Sequence, residues 1–527
     1  MLKWSILSLC AVLFPLSGFG RETAAGTEPE PSPPDSVRQA YMDELDFIID
    51  CIENRYVSGR RGIGDEEWQQ GVEAVGNRAD VFFDDYDGYY VYIWKYLGLL
   101  QRDSHFAFPD GGMFNREGCF TDDDIILPLW VQTWEDGTVY NVKDYIGRIP
   151  KYAEIVYING YSAKELALRN RAMAPGEPAY AMANINSYYE PSPLSWPNLA
   201  NFLFTECIYP PYTVVYRCYG QTETDTVIYN GIRREDKQRA YRRSGDKRRA
   251  KEELGFARKP IIYADMGDGV GVLTINSFWG KRWSHMLLFG KDWRYKRLLR
   301  QAMRRIGRDG IDRLVIDVSL NTGGMAENVF YTLDYLTDKP VDITYTYLIT
   351  DECREKAKNN VDRSPYLSEA DREYMMRYID SVPDGTRFRT DTVRRMRYLP
   401  QRPTHGYDGE VYVLTSHQTY SAAQMFARYC QVLGVGKVAG QHCGGFNRPQ
   451  GDGPCGGYNA VTGNAARVEL PVSRWMQFQV PFREEVISPD DEPYAYPTMD
   501  IPIEHPFEEW LHRENRSLER LLRMIEE

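Results

Sequence analysis

Two strand-to-helix crossings punctuated by small residues set the tightest limit on how this chain can fold. The first runs from Arg313 to Gly324: a β-branched stretch ends at Asp317, and a loop follows through Asn321, Gly323 and Gly324. The second runs from Val411 to Gln424. Its apolar stretch ends at Thr415, its loop carries His417 and Thr419, and Ser421, Ala422 and Ala423 open a helix-permissive run. A short apolar strand passing through a loop into a helix is the building unit of a sheet covered by helices. Side by side in a parallel sheet, two such units put backbone N–H groups and a hydroxyl at one edge. That is the raw material of a serine nucleophile with an oxyanion hole.

Ser421 is the leading candidate nucleophile. The helix it opens should run to about Leu433, with Gly434 and Gly436 marking its end. At a helix N-terminus the macrodipole favours a developing oxyanion. Small Ala422 lets the helix pack closely and leaves its own N–H free to face a substrate carbonyl. A helix cap needs the same residue type in the same place, so sequence leaves both readings open. Gly323 and Gly324 permit positive φ and close backbone approach, which suits a second oxyanion donor and equally an ordinary tight turn. A serine hydroxyl also needs a base. His105, at the end of a helical stretch after Asp103 and Ser104, competes for that role with His417 and His442. Spacing does not choose among them.

The rest of the chain bounds the class. At 527 residues it is too long for one core, so two or three domains are expected. A net charge of -12 argues against nucleic acid as the main partner. A basic stretch over residues 233–259 is interrupted by Glu235, Asp236, Asp246, Glu252 and Glu253, and reads as a solvated helix or connector. Residues 1–20 have the form of a secretory signal: Lys3, an apolar run, then Ser17, Gly18 and Gly20. A proline-rich tether follows, and no other segment is apolar enough to span a membrane. Of the cysteines, Cys443 with Cys455 and Cys207 with Cys218 are close enough in sequence to pair in an exported chain. With seven histidines and no metal-binding spacing, no metal is expected.

Hydrophobic periodicity divides the chain. Val37, Tyr41, Leu45, Ile48 and Ile52 predict a helix after Ser36, and residues 89–100 predict another. Strand signals dominate from Thr121 to Tyr229, and an α/β alternation begins near Gly269. The expected organisation is a signal (1–20), a tether (21–35), an N-terminal helical region (36–118), a β-rich domain (119–230), a basic connector (231–260) and an α/β core (261–527).

These residues resemble the tail-specific, or C-terminal-processing, serine peptidases, in their tricorn-core-like branch. The resemblance rests on Gly271 to Phe278, Leu314 to Gly324, Thr419 to Gln424 and Gly440 to Gly445, in matching order and spacing. It implies an α/β core of the ClpP/crotonase-like fold, a PDZ-like domain around Ile149 to Gly160, and a polypeptide substrate without a cofactor. It also implies His105 as the base, Ser104 as its orienting partner, and an acid matched by Glu492, with Asp491 beside it. The oxyanion donors implied are the Gly323 or Gly324 amide and that of Ala422. The chain departs from the family pattern at Ser319, Gln424 and Gln441 to Cys443, and no lysine stands near Phe446, which disfavours a serine–lysine dyad. The activity expected is therefore exported serine endopeptidase, in the periplasm or outside the cell, with attachment to a membrane as the alternative. Its rivals are a peptide- or apolar-ligand-binding protein on the same fold and a serine esterase.

Overall fold

The computed structural model describes residues 35–60, 62–76, 100, 125–173, 203, 208–244, 259–280, 292–445, 465–468, 478–488, 490, 492, 493, 495–512 and 514–527. The signal-like segment, nearly all of the proline-rich tether, the helix expected over 89–100 apart from Leu100, Ser104, His105 and Asp491 lie outside these residues.

The N-terminal periodicity forms α1 (Asp35–Asp50), followed by a π-helical turn over Cys51–Arg55 and then α2 (Asp65–Gly76). Tyr41, Leu45, Ile48 and Ile52 are buried, as expected for an apolar stripe at three- and four-residue steps. They share one core with the β-rich domain. That domain is an antiparallel sheet of β1 (Leu129–Thr133), β2 (Val139–Asp144), β3 (Glu154–Ile158), β4 (Tyr212–Arg217) and β5 (Thr224–Tyr229), in that order. A helix, α3 (Ala163–Met173), follows β3. Tyr212, Val214 and Tyr216 are buried at alternate positions of β4, the two-residue period of a half-buried strand. The basic connector begins with a helix over Arg234–Arg243.

The C-terminal half is built on a six-stranded sheet. Its strands are β6 (Ile261–Gly267), β7 (Val270–Ile275), β8 (Arg313–Asp317), β9 (Glu410–Thr415), β10 (Lys437–Gly440) and β11 (Ile501–Pro502), adjacent in that order. All pairs are parallel except β6 with β7. Register places Leu273, Ile316, Val413 and Val438 in one row across the sheet. All four are buried in the main core, each contributing about 1.5–3 kcal/mol of apolar burial. The helices on that face are α4 (Trp293–Asp309), α5 (Ala326–Leu333) and α6 (Ala422–Val432). The side chain of Asp292 caps α4 by accepting from the Tyr295 N–H, and Gly310 ends it at φ 66°. The neighbouring row, Val272, Val315 and Tyr412, faces a second and smaller core.

Two C-terminal helices tie the parts together. Helix α7 (Phe507–His512) lies against the β-rich domain, where Phe507 and Trp510 pack on Trp134 and Tyr140. There the Gln132 amide donates to the Leu511 carbonyl at 3.1 Å. Helix α8 (Ser517–Glu526) puts Leu521 and Ile525 into the smaller core behind β7–β10. Among the described residues no helix is long and apolar enough to cross a membrane. Cys218 and Cys443 are free thiols among the described residues. Their proposed partners Cys207 and Cys455 lie outside the described residues. Cys443 is fully buried beside Thr415, and burial pushes its thiol up to about 12, which makes it an inert core residue.

Candidate active site

Both crossings form as expected and meet at the C-terminal edge of β8 and β9. Each loop is held by hydrogen bonds to the other. The Val318 N–H donates to the Leu414 carbonyl (3.0 Å), and the Tyr420 N–H to the Asn321 carbonyl (3.0 Å). The Thr419 hydroxyl donates to the Val318 carbonyl at 2.9 Å. A third loop joins from β10, where the Gly444 N–H donates to the Thr419 carbonyl at 2.9 Å. The segment on either side of Ser421 is thus anchored to two neighbouring strands before α6 begins.

Ser421 itself sits at φ 54°, ψ −125°, immediately before α6. Positive φ is costly for any residue with a Cβ, on the order of 1–3 kcal/mol. Such strain persists only where the surroundings impose it, and it is the backbone signature of a nucleophile on a sharp strand-to-helix turn. The capping alternative makes a specific demand, that the side chain accept from an N–H of the first turn. Ser421 makes no such bond. Among the described residues its hydroxyl is uncommitted and half-buried.

The two glycines play different parts. Gly323 lies at φ 114° against Ser421: a Cβ built on it would stand 2.8 Å from Ser421 Cβ and 3.0 Å from the Tyr420 carbonyl oxygen. Its N–H is already taken, donating to Asn321 Oδ1 at 2.8 Å. Gly324, at φ 146°, follows it with an N–H that has no hydrogen-bond partner among the described residues, as does the N–H of Ala422 at the start of α6. Two uncommitted amides therefore flank a strained serine at the positive end of a helix. This arrangement suits a tetrahedral oxyanion.

Asn321 is a residue whose part sequence reasoning did not see, although its motif was in view. Its Oδ1 accepts from the amide two residues on, and its Nδ2 donates to the Ile275 carbonyl at 2.9 Å. An asparagine folding onto the amide at i+2 is an Asx turn, which was the available signal. Ser319, where the family pattern has arginine, also folds back locally. Both its N–H (2.9 Å) and its hydroxyl (2.6 Å) donate to Asp317 Oδ1. Burial raises the Asp317 carboxyl, and these two bonds offset part of the rise. Gln424 is buried in the first turn of α6, its side chain about a van der Waals contact, 3.6 Å, from where a Cβ on Gly445 would lie.

The two nearby histidines are engaged elsewhere. His417 hydrogen-bonds the His442 backbone, while its Nδ1 is buried without a partner among the described residues. Burial first, and the neighbouring His442 second, push its pKa down to about 4. The His442 ring donates from Nδ1 to the Pro497 carbonyl at 3.3 Å. Glu492 is exposed, in a turn closed by the Ala495 N–H on its carbonyl, five residues before Pro497.

Comparison with known proteins follows the same division of the chain. Residues 269–491 match Peptidase family S41, a span that holds both crossings and Ser421. Among solved structures, mature CPAF aligns over 91% of this chain and 95% of its own, with TM-score 0.54 and 13% identity. Mature CPAF complexed with lactacystin aligns over 93% and 98%, with TM-score 0.55 and 14% identity. At such identity the likeness is one of fold. No curated protein sequence matches the chain.

Proposed function

We propose that the chain is an exported serine endopeptidase with Ser421 as nucleophile, a reading supported by the match of residues 269–491 to Peptidase family S41. The observation that carries the reading is the backbone of Ser421: strained, uncapped and pressed against Gly323. The Ser421 oxygen attacks the scissile carbonyl, and the oxyanion is received by the N–H groups of Gly324 and Ala422. Gly323, whose amide is spent on Asn321, acts as the spacer that lets the loop approach. His105 takes the serine proton and returns it to the leaving amine, after which water resolves the acyl-enzyme by the same route in reverse. Ser104 orients His105, and Glu492 supports the imidazolium. The β-rich domain, in its PDZ-like role, holds an extended polypeptide by strand addition.

The test uses a serine-reactive fluorophosphonate probe and a peptide library. Wild type should be labelled on Ser421 and should cut internal peptide bonds. Ser421→Ala should do neither, and His105→Ala should label slowly. Labelling that is unaffected in His105→Ala would remove His105 as the base. Turnover of small esters with no peptide cleavage would make the protein an esterase.

A further inference from the structure

Helix α4 carries an unusual surface for a chain of net charge -12. Its buried stripe is Tyr295, Leu299, Ala302, Met303 and Ile306. Its opposite face is Trp293, Arg297, Arg300, Arg304 and Arg308, each exposed, at steps of four, three, four and four residues. These spacings form a single line along the helix. At 1.5 Å per residue the line is ~22 Å long, the length of about seven residues of extended peptide. Several arginines elsewhere pair with carboxylates: Arg60 with Glu53 and Asp65, Arg354 with Asp384, Arg395 and Arg397 with Asp342. On α4, Arg297 and Arg304 have no carboxylate within salt-bridge distance among the described residues. Arg300 is held by the hydroxyls of Tyr331 and Tyr335. Arg308 alone meets an acid, its neighbour Asp309.

The direction of the helix gives the stripe a meaning. Helix α4 follows β7 and precedes β8, packed antiparallel to both, so its first turn lies at the sheet edge that carries Gly324 and Ser421. Trp293, 57% exposed, therefore stands at the active-site end, and the arginines lead away from it.

We propose that this stripe is an exosite for an acidic segment of the polypeptide substrate, engaged while the scissile bond lies at Ser421. The proposal rests on the peptidase reading and adds to it a substrate class: chains with a run of Asp or Glu several residues from the cleavage point. A membrane surface fits less well. A helix that lies on lipid presents its apolar face outward, and the apolar face of α4 is consumed by the core. A flexible acidic polypeptide needs only the cations, with Trp293 as an apolar stop at the cleft end.

Two measurements on the mature chain test this. In the first, a cleavable fluorogenic peptide is compared with the same peptide carrying a six-residue Glu extension, or a Ser extension, on either side. The acidic extension on one side should lower KM about tenfold at low salt with kcat unchanged, and 0.5 M NaCl should erase the gain. Arg297→Glu with Arg304→Glu should abolish the gain and leave cleavage of the short peptide as in wild type. The second measures anisotropy of labelled hexaglutamate on Ser421→Ala, with and without the two charge reversals, and needs no catalysis. If no peptide is cut by wild type but hexaglutamate binds through the stripe, the peptidase reading fails, and the stripe stands as a binding site for acidic polypeptide with its part in cleavage overturned. Equal binding by the charge-reversed form, or an acidic gain that survives reversal, overturns the exosite. Loss of binding to phosphatidylglycerol vesicles on reversal, without any effect of the extension, would assign the stripe to lipid instead and also overturn it.

Discussion

Replacing Gly323 by alanine tests the proposed active-site geometry most directly, because the added methyl group meets Ser421 itself. Its Cβ would lie 2.8 Å from Ser421 Cβ, 3.0 Å from the Tyr420 carbonyl oxygen and 3.2 Å from the Ala422 nitrogen. Carbon atoms prefer separations of about 3.5–4.0 Å, so Ser421 or the glycine loop must move by roughly 1 Å. Positive φ at residue 323 adds about 1–2 kcal/mol, and the overpacking about 1–3 kcal/mol. A displacement of that size at a nucleophile corresponds to a loss of roughly 10²-fold in rate. The assay is kcat/KM on a quenched fluorogenic peptide beside a thermal melt. Gly307→Ala is the control: it lies within α4 with nothing within 4 Å of its Cβ position, and should stabilise by up to ~1 kcal/mol without touching activity. If Gly323→Ala keeps wild-type kcat/KM while folding normally, Gly323 is not packed on a working nucleophile and the site is misread.

Three further outcomes follow. Asn321→Ala leaves the Gly323 N–H and the Ile275 carbonyl without their partners. It should cost about 2–4 kcal/mol in a denaturant melt and lower kcat more than it raises KM; an unchanged kcat would deny Asn321 its positioning part. For His417, a pKa pushed down from 6.5 to about 4 means the unfolded chain binds its proton first. Stability is therefore fully present above pH 6.5 and falls as pH drops toward 4, by about 2 kcal/mol after discounting for partial exposure. His417→Gln should flatten that slope, as read by melts at pH 4.5 and 7. Ser421→Ala should melt within ~1 kcal/mol of wild type, there being no cap bond to lose, whereas Ser421→Gly should melt about 2–4 °C higher by relief of the positive φ. Equal melting of the two would show the backbone at 421 to be relaxed.

The fold was legible wherever a local signal and a tertiary demand agreed. The β-branched runs ending at Asp317 and Thr415 became adjacent parallel strands, and the helix after Ser421 ended at Val432, close to where Gly434 placed it. The strand at Tyr212–Arg217 showed its alternation openly. Less legible was the division of labour between Gly323 and Gly324. Both offer the same conformational freedom, and only the side chain of Asn321 decides which amide is spent. The cysteine spacing carried no information on burial, and Cys443 lies buried in the core. Nor could any periodicity reveal that Phe507 and Trp510 return to Trp134, since long-range contacts leave no local trace.

The strained backbone at Ser421 sets two kinds of fitness against each other. At this position the residue that best suits the backbone is glycine, while the proposed chemistry needs serine. Variants selected for robustness alone would drift toward losing the nucleophile, gaining heat tolerance as they lost turnover. A serine at φ 54° thus gives up backbone stability, which on the proposed reading is the cost of holding a hydroxyl between two uncommitted amides.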